Sequence, residues 1–448
     1  MEDLVRLDSS AQSAAVKKMG EYLRDQIKGQ ERAIRYFLER YELNYAGFND
    51  PEKPLLVALL LGPSGVGKTL LAETLAGYFF ESPHSLTKVS CAEYQESHKI
   101  SSLIGSPPGY IGSWNPDDPD QRYKGTEPIL SQRNIDKYDF EYQKKKTDAD
   151  KTIKINAKER EKKIDELIQE LILLEDKLDK LSSKNKKGSK EFVQGVIRYS
   201  KLEKELENLE RAPSTGAYNP INNYRSIILF DEIEKANESL HRLLLEILDK
   251  GRLTLSTGKV TKFNNSFIFM TSNVGSNEIA DLLQENNKMG FRGKTSPLSG
   301  ERVDKEIYEV SLAKVKEKFA PEFIGRLNQI IVFRPLREET MKQILELQLR
   351  DFHTMLAKSP VAVLLKIDDT VMDFLIKKAL TKYSEQGARR LKDMLTKYIR
   401  EPLAKFANCF RIISSDIVYI KLEKDEKNED QIVFYRAKRP KENKTKSK

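Results

Sequence analysis

Residues 62–69 read Gly62-Pro63-Ser64-Gly65-Val66-Gly67-Lys68-Thr69, a complete G-x-x-x-x-G-K-T phosphate loop. Residues 54–61 before it form a continuous apolar run, the mark of a strand buried on both faces. Residues 70–76 after it are rich in helix formers. Strand, glycine loop and helix in that order commit the chain to an α/β core. The glycines let backbone N–H groups curl round the β- and γ-phosphates. Lys68 adds a point charge, and the Thr69 hydroxyl can hold Mg²⁺. The motif implies binding of a nucleoside triphosphate and leaves open what the energy drives.

A chain of 448 residues has room for two or three domains. With 32% charged and 39% hydrophobic residues, a charged surface around apolar cores is expected. No apolar run approaches the roughly 20 residues needed to span a bilayer. Met1-Glu2-Asp3-Leu4 lacks the basic-then-apolar pattern of a signal peptide. Cys91 and Cys409 allow no disulfide framework and suit a reducing cytosol, so a cytoplasmic location is expected. The two cysteines and four scattered histidines form no zinc pattern. Much of the net charge of +9 comes from Lys144-Lys145-Lys146, Lys184-Asn185-Lys186-Lys187 and the tail at 438–448. Such runs attract anionic surfaces. No aromatic residues interleave them as a stacking platform for nucleic acid requires, so solvated loops and a tail are expected.

Along the chain, the first two dozen residues read as a helical lead-in, 1–24. Strands are expected at 55–61, 86–91, 227–232, 266–273 and 330–333, with helical stretches between them. That alternation predicts a mostly parallel sheet within a large domain at 25–337. From 338 the pattern turns helical, then closes with alternation at 417–422 and 431–435, which predicts a smaller α+β domain at 338–437. One segment, 134–223, breaks the rhythm. Ile164, Leu167, Leu171, Leu174, Leu178 and Leu181 step by three and four, a heptad seam. A polar break at 182–190 follows, then Phe192, Tyr199, Leu202, Leu206 and Leu209. An antiparallel coiled-coil hairpin with a first arm of roughly 27 Å is expected; the alternative is one helix zipping with another protomer.

Asp231 and Glu232 close the third strand, where ligand sites gather in a parallel sheet. Asp231 fits the ordering of Mg²⁺, and Glu232 fits the base that polarises the attacking water. Asn273 ends a neighbouring strand, within reach of the γ-phosphate or the lytic water.

Residues 227–237 (IILFDEIEKAN), 248–253 (LDKGRL) and 270–276 (MTSNVGS) resemble the second ATPase module of the Clp unfoldases. Ile27-Lys28-Gly29-Gln30 resembles the family's adenine-contacting segment, and Gly105–Gly112 its pore loop. Residues 319–327 (FAPEFIGRL) resemble its arginine-finger segment, and Gly387-Ala388-Arg389 its second sensor. These segments run in family order over about residues 20–437. The resemblance implies an AAA+ ATPase using ATP and Mg²⁺. The nucleotide would be held by Ile27, Gly29, Gln30, the loop Gly62 to Thr69, Asp231 and Arg389, with Mg²⁺ on Thr69 and Asp231. Lys68, Glu232, Asn273 and Arg389 would act on the bound phosphates, while Arg326 would reach the site of an adjacent protomer in a homo-hexamer. Gly109, Tyr110, Ile111 and Gly112 would present Tyr110 to a translocating polypeptide. Met289-Gly290-Phe291 falls where relatives carry a short loop that docks a ClpP-like peptidase.

The chain also departs from the family pattern. Gly325 and Asn328 stand where the finger segment usually has Asn and Asp. Ser113-Trp114-Asn115-Pro116-Asp117 replaces a Gly-Gly stretch after the pore loop. The hairpin, whose partner the sequence leaves unidentified, lies between pore loop and catalytic strand. The expectation is a ring ATPase threading unfolded or tagged proteins. The alternatives are a peptidase-independent disaggregase, a nucleic-acid-remodelling ATPase, and an inactive scaffold.

Overall fold

The computed structural model describes residues 12–106, 126–149, 224–279, 281–282, 298–380, 387–425 and 428–437, with scattered helical residues between 164 and 202. Chain order gives β1 (Leu56–Leu61), β2 (Thr87–Ser90), β3 (Ser226–Asp231), β4 (Arg252–Thr254), β5 (Val260–Lys262), β6 (Ser266–Ser272) and β7 (Gln329–Val332). Five of them make one parallel sheet in the order β2-β3-β6-β1-β7. Every residue of β1 and β6 is buried, as expected for central strands covered on both faces.

The two-residue period of β1 divides the core. Leu56, Ala58 and Leu60 pack with α1 (Ala14–Gln26), α2 (Glu31–Tyr45) and α3 (Lys68–Phe80). Val57, Leu59 and Leu61 face the other layer, with Leu240, Leu244 and Ile247 of a later helix and with Phe319 and Phe323. β4 and β5 form a separate antiparallel hairpin that the sequence reading passed over.

The segment read as an insert from 134 begins as core. Helix α4 (Gln132–Ala149) buries Ile135 beside Leu130. Asp139 accepts the Arg225 backbone N–H at 2.7 Å, and Phe140 meets Tyr224 edge-on at 5.8 Å. The outgoing and returning chains therefore run side by side on the ATPase layer. Further out, Leu167 is buried and Ile164, Leu171 and Leu174 are half-buried, while Glu166, Ile168 and Leu173 are exposed, as a seam requires. Arg198 pairs with Glu170 at 2.5 Å within the chain. Positions 170 and 198 are equidistant from 184, the spacing expected across a hairpin that turns at the polar break. Leu178, Leu181, Phe192, Leu206 and Leu209 lie outside the described residues.

The second domain contains α8 (Glu338–Ala357), β8 (Leu364–Ile367), α9 (Asp369–Leu380), α10 (Gly387–Leu395), α11 (Glu401–Asn408), β9 (Ile417–Lys424) and β10 (Asp430–Arg436). The large domain also contains α5 (Glu238–Lys250) between β3 and β4, and α6 (Leu298–Lys318) and α7 (Pro321–Gly325) between β6 and β7. The small sheet has the order β10-β9-β8 and its own apolar core around Leu345, Val371, Leu375, Leu391 and Ile420. β8 was not expected; with one buried residue in four it carries little pattern. Among the described residues no helix is long and apolar enough to cross a membrane.

Candidate nucleotide-hydrolysis site

The phosphate loop leaves the C-terminal end of β1 and enters α3 through Gly67, which caps the helix with a left-handed φ of 105°. Gly62 is equally constrained: at φ 137°, an added Cβ would lie 2.7 Å from the Phe333 carbonyl. Lys68, the first residue of α3, turns back into the loop. Its ammonium donates to the Gly62 carbonyl at 2.5 Å, the Pro63 carbonyl at 2.8 Å and Asn273 Oδ1 at 2.8 Å. Burial lowers its pKa to about 8, against the opposing pull of Glu234 and Asp231.

β6 lies between β1 and β3, so Asn273 at its end stands between the phosphate loop and the carboxylates. Thr271 on β6 ties the two acidic residues together. Its hydroxyl donates to Asp231 Oδ1 at 2.5 Å and accepts the Glu232 N–H at 3.0 Å. Glu232 sits at φ 58°, a left-handed conformation that costs a non-glycine residue on the order of 1–3 kcal/mol and gathers at functional sites. Lys88 from β2 reaches Asp231 Oδ2 at 3.2 Å, and Lys235 reaches Glu232 Oε2 at 2.8 Å. Glu234 accepts the Asn273 N–H at 3.1 Å and thereby fixes the loop that presents the Asn273 amide to Lys68.

The opposite wall comes from the small domain. Gly387 opens α10 directly over the loop, where an added Cβ would lie 2.7 Å from the Gly65 carbonyl. The Ala388 N–H donates to that carbonyl at 3.0 Å, and Arg389 Nη1 donates to Ser64 Oγ at 3.3 Å. A cleft of about 680 Å³ results, lined by Ile27, the loop from Ser64 to Thr69, Asp231, Glu232, Asn273 and Arg389, with Leu336, Ile344 and Leu347 opposite Ile27. That volume is in the range of nucleotide-sized ligands.

Gln30 differs from the role the resemblance implies. It is buried, and its amide is engaged by the backbone: Nε2 donates to the carbonyls of Val66 and Arg334, and Oε1 accepts the Arg334 N–H. It clamps the loop to the end of β7 instead of offering a free edge to adenine. Gly29, at φ 72°, lets Thr340 of α8 approach, since a Cβ there would lie 2.5 Å from Thr340 Cγ2. Arg326 is outside the cleft, at the end of α7, with Nε 3.3 Å from Asp249. The substituted Asn328 has a use of its own: its Oδ1 accepts the Val57 N–H at 2.8 Å and seats β7 on β1. Gly109, Tyr110, Ile111 and Gly112, and Met289, Gly290 and Phe291, lie outside the described residues.

Sequence reasoning passed over Lys88, Thr271, Glu234 and Lys235. The last three lie inside segments already quoted for the family likeness; Lys88 carried no signal, because only strand register brings β2 beside Asp231. The Thr69 hydroxyl and Asp231 carboxylate are hard oxygen donors, few in number, which suits Mg²⁺ completed by water and phosphate oxygens. The arrangement can neutralise a polyphosphate with Lys68 and Arg389 and offers Glu232 as a base toward its γ end.

Comparison with known proteins points to the same fold. Residues 53–116 and 200–330 match the model of the AAA domain, Cdc48 subfamily, and residues 336–409 match that of the C-terminal, D2-small domain of ClpB protein. The gap in the first match, 117–199, overlaps the segment read as the insert, 134–223, and the match resumes inside it at 200. The chain is 27% identical over 412 residues to the chaperone protein ClpB of Bacteroides thetaiotaomicron, covering 92% of this chain and 34% of that protein. It is 28% identical over 400 residues to ClpB of Clostridium perfringens, covering 89% and 32%. It is 27% identical over 397 residues to a probable ATP-dependent Clp protease ATP-binding subunit of Chlamydia pneumoniae, covering 89% and 34%. The chain thus spans about a third of the length of these relatives. A closed-state cryo-EM reconstruction of Hsp104 with ATPγS and FITC casein matches at a TM-score of 0.57 and 20% identity, over 96% of this chain and 53% of that one, and shares the fold.

Proposed function

Because the chain belongs to the Clp-type AAA+ family, we propose that it is a Mg-ATP-hydrolysing protein unfoldase that works as a homo-hexameric ring and threads polypeptides through its centre. The observation that carries this reading is the division of the arginines. Arg389 closes over the chain's own phosphate loop, whereas Arg326 lies outside the cleft, half-exposed, as a group serving a neighbour must. Lys68 and Arg389 hold the phosphates. Glu232 takes the proton of the attacking water, and the Asn273 amide orients that water or the γ-phosphate. Thr69 and Asp231 would supply the protein oxygens that hold Mg²⁺, which would neutralise charge developing on the phosphates. Gly109, Tyr110, Ile111 and Gly112 form the substrate-gripping loop, with Tyr110 offering a sequence-tolerant apolar grip.

Two outcomes for the threaded chain share this engine. Release for refolding is supported by the names of the ClpB relatives. Delivery to a ClpP-like peptidase through Met289-Gly290-Phe291 is supported by the name of the Chlamydia relative. The cytoplasm is the proposed location, and nucleic acid and membrane are not proposed partners. The test compares ATP turnover with unfolded casein and with single-stranded DNA, and measures unfolding of a tagged model protein. Casein should stimulate turnover, and Tyr110→Ala should abolish unfolding while basal hydrolysis continues. Stimulation by DNA alone would favour a nucleic-acid remodeller. Turnover that is unaffected by Glu232→Gln would remove the catalytic assignment.

A further inference from the structure

Helix α5 touches both the catalytic turn and the arginine finger. Its N-terminus is rooted beside the turn at Glu232–Lys235. Asn237 caps it, accepting the Ser239 N–H at 2.9 Å, and is pinned to the Tyr94 and Gln95 carbonyls at 2.9 and 3.0 Å. In its first turn, His241 Nε2 lies 3.1 Å from the carbonyl of Ile233, the residue after Glu232. A carbonyl can only accept, so Nε2 carries the hydrogen and donates. The other side of the ring packs on two phenylalanines, at 5.5 Å from Phe323 and 5.7 Å from Phe319, which stack on each other at 5.5 Å. Phe323 belongs to α7, and the Arg326 N–H donates to its carbonyl at 3.2 Å. At the far end of α5, Asp249 holds the Arg326 guanidinium. Positions 241 and 249 are about two turns apart and within about 80° of each other round the helix, so one flank of α5 serves both contacts.

We propose that His241 is a positioning residue: it aims Arg326 at the neighbouring subunit's nucleotide according to the posture of its own Glu232–Ile233 turn. A displacement of that turn moves the Ile233 carbonyl, which carries the imidazole, which tilts the Phe319–Phe323 pair beneath the finger. The two aromatics are 2–3% exposed and close-packed, so they transmit a shift instead of absorbing it. A histidine suits the role because it joins an aromatic face to an N–H donor, and burial keeps its ring in the neutral form that such packing tolerates. The inference rests on Arg326 acting in trans.

The test is a double-substitution cycle on assembled rings of the full chain, with ring formation followed by light scattering. His241→Ala should lower kcat by about 2- to 30-fold, the range for residues that modulate coupling. The Kd for a fluorescent ADP should not change, since His241 does not line the cleft. In an Arg326→Ala background the same substitution should cause no further loss. His241→Phe keeps the packing and lacks the donor, so it should also lower kcat, without lowering Tm, and should likewise be silent beside Arg326→Ala. The proposal is overturned if the losses multiply, if ADP affinity falls, or if His241→Phe equals the native chain. If His241→Ala does not assemble, His241→Phe decides alone. If Arg326→Ala by itself leaves kcat intact, the trans-finger reading fails, and that result is visible separately from the cycle.

Discussion

All three hydrogens of the Lys68 ammonium are engaged by Gly62, Pro63 and Asn273, so an arriving phosphate must displace at least one of these acceptors. Burial has lowered its pKa to about 8, so the group is charged below pH 8 and largely neutral above it. A polyphosphate selects the charged form. Nucleotide affinity should be flat from pH 6.5 to 7.5 and fall above pH 8, where binding must take up a proton; Kd against pH, with buffer-dependent calorimetry to count protons, checks this. Constant affinity to pH 9.5 would contradict it. Glu232→Gln preserves shape but cannot accept the water's proton, so nucleotide should still bind while turnover disappears. Thr271→Val should be costly for its size. It removes the hydroxyl that serves both Asp231 and Glu232 and leaves a part-buried N–H unpaired, about 1–3 kcal/mol in a denaturant titration. Lys68, Asp231, Glu232 and Asn273 were legible because their motifs are local in sequence. Lys88 was not, since the pairing of Ser90 with Asp231 across two strands is what brings it in.

At the scale of elements, strands buried on both faces announced themselves, whereas β4, β5 and β8 did not, although β7, which also buries one residue in four, did. β1, β3 and β6 are apolar runs; β4, β5 and β8 bury a single residue each and gain their identity from pairing. The charged α4 was read as the root of an excursion. Its contacts with the core include Ile135, Tyr138, Asp139, Phe140 and Tyr142, scattered through a composition rich in Lys and Asp. The hairpin proposed beyond it would be held by a seam containing Leu167, Leu171 and Leu174. Leu171→Glu with Leu174→Glu places unpaired carboxylates in that seam, at a cost of several kcal/mol. The double variant should lose helical ellipticity at 222 nm and become protease-sensitive between residues 150 and 223, with ADP affinity unchanged. If the hairpin recruits a regulator or substrate, stimulation by that partner disappears while basal turnover remains. A variant that instead forms no rings until its concentration is raised, and then responds normally, identifies the hairpin as a brace. Gln30→Ala is the comparison at the core: it frees the Val66 and Arg334 groups together and should weaken nucleotide binding by loosening the loop.

For the whole molecule, the decisive contacts are those between large and small domains, because the cleft has one wall on each. Among the described residues they meet where Gly387 lies over Gly65, where Thr340 lies over Gly29, where Ala388 and Arg389 bond Gly65 and Ser64, and where Arg350 of α8 pairs with Asp25 of α1 at 3.4 Å. Two of these approaches use glycines at positive φ, so closure depends on the absence of a side chain there as well as on attraction. The same logic extends to the proposed ring, where Arg326→Ala and Lys68→Ala subunits, each strongly impaired alone, should regain part of their turnover when mixed, since some interfaces then pair an intact finger with an intact loop. Gly387→Ala isolates the domain contact. Its Cβ would lie 2.7 Å from a backbone oxygen, which cannot rotate away, and its φ of 44° adds a left-handed cost of roughly 1–2 kcal/mol. The cheapest relief is for α10 to lift, taking Arg389 off Ser64 and opening the cleft. Affinity for ADP and ATP should therefore drop together by about tenfold or more, as 1.4 kcal/mol corresponds to a factor of ten. The large domain, whose core lies elsewhere, should melt unchanged. An unaltered Kd would mean that the small domain does not close on the nucleotide, and that Arg389 meets the phosphate loop only in the absence of ligand.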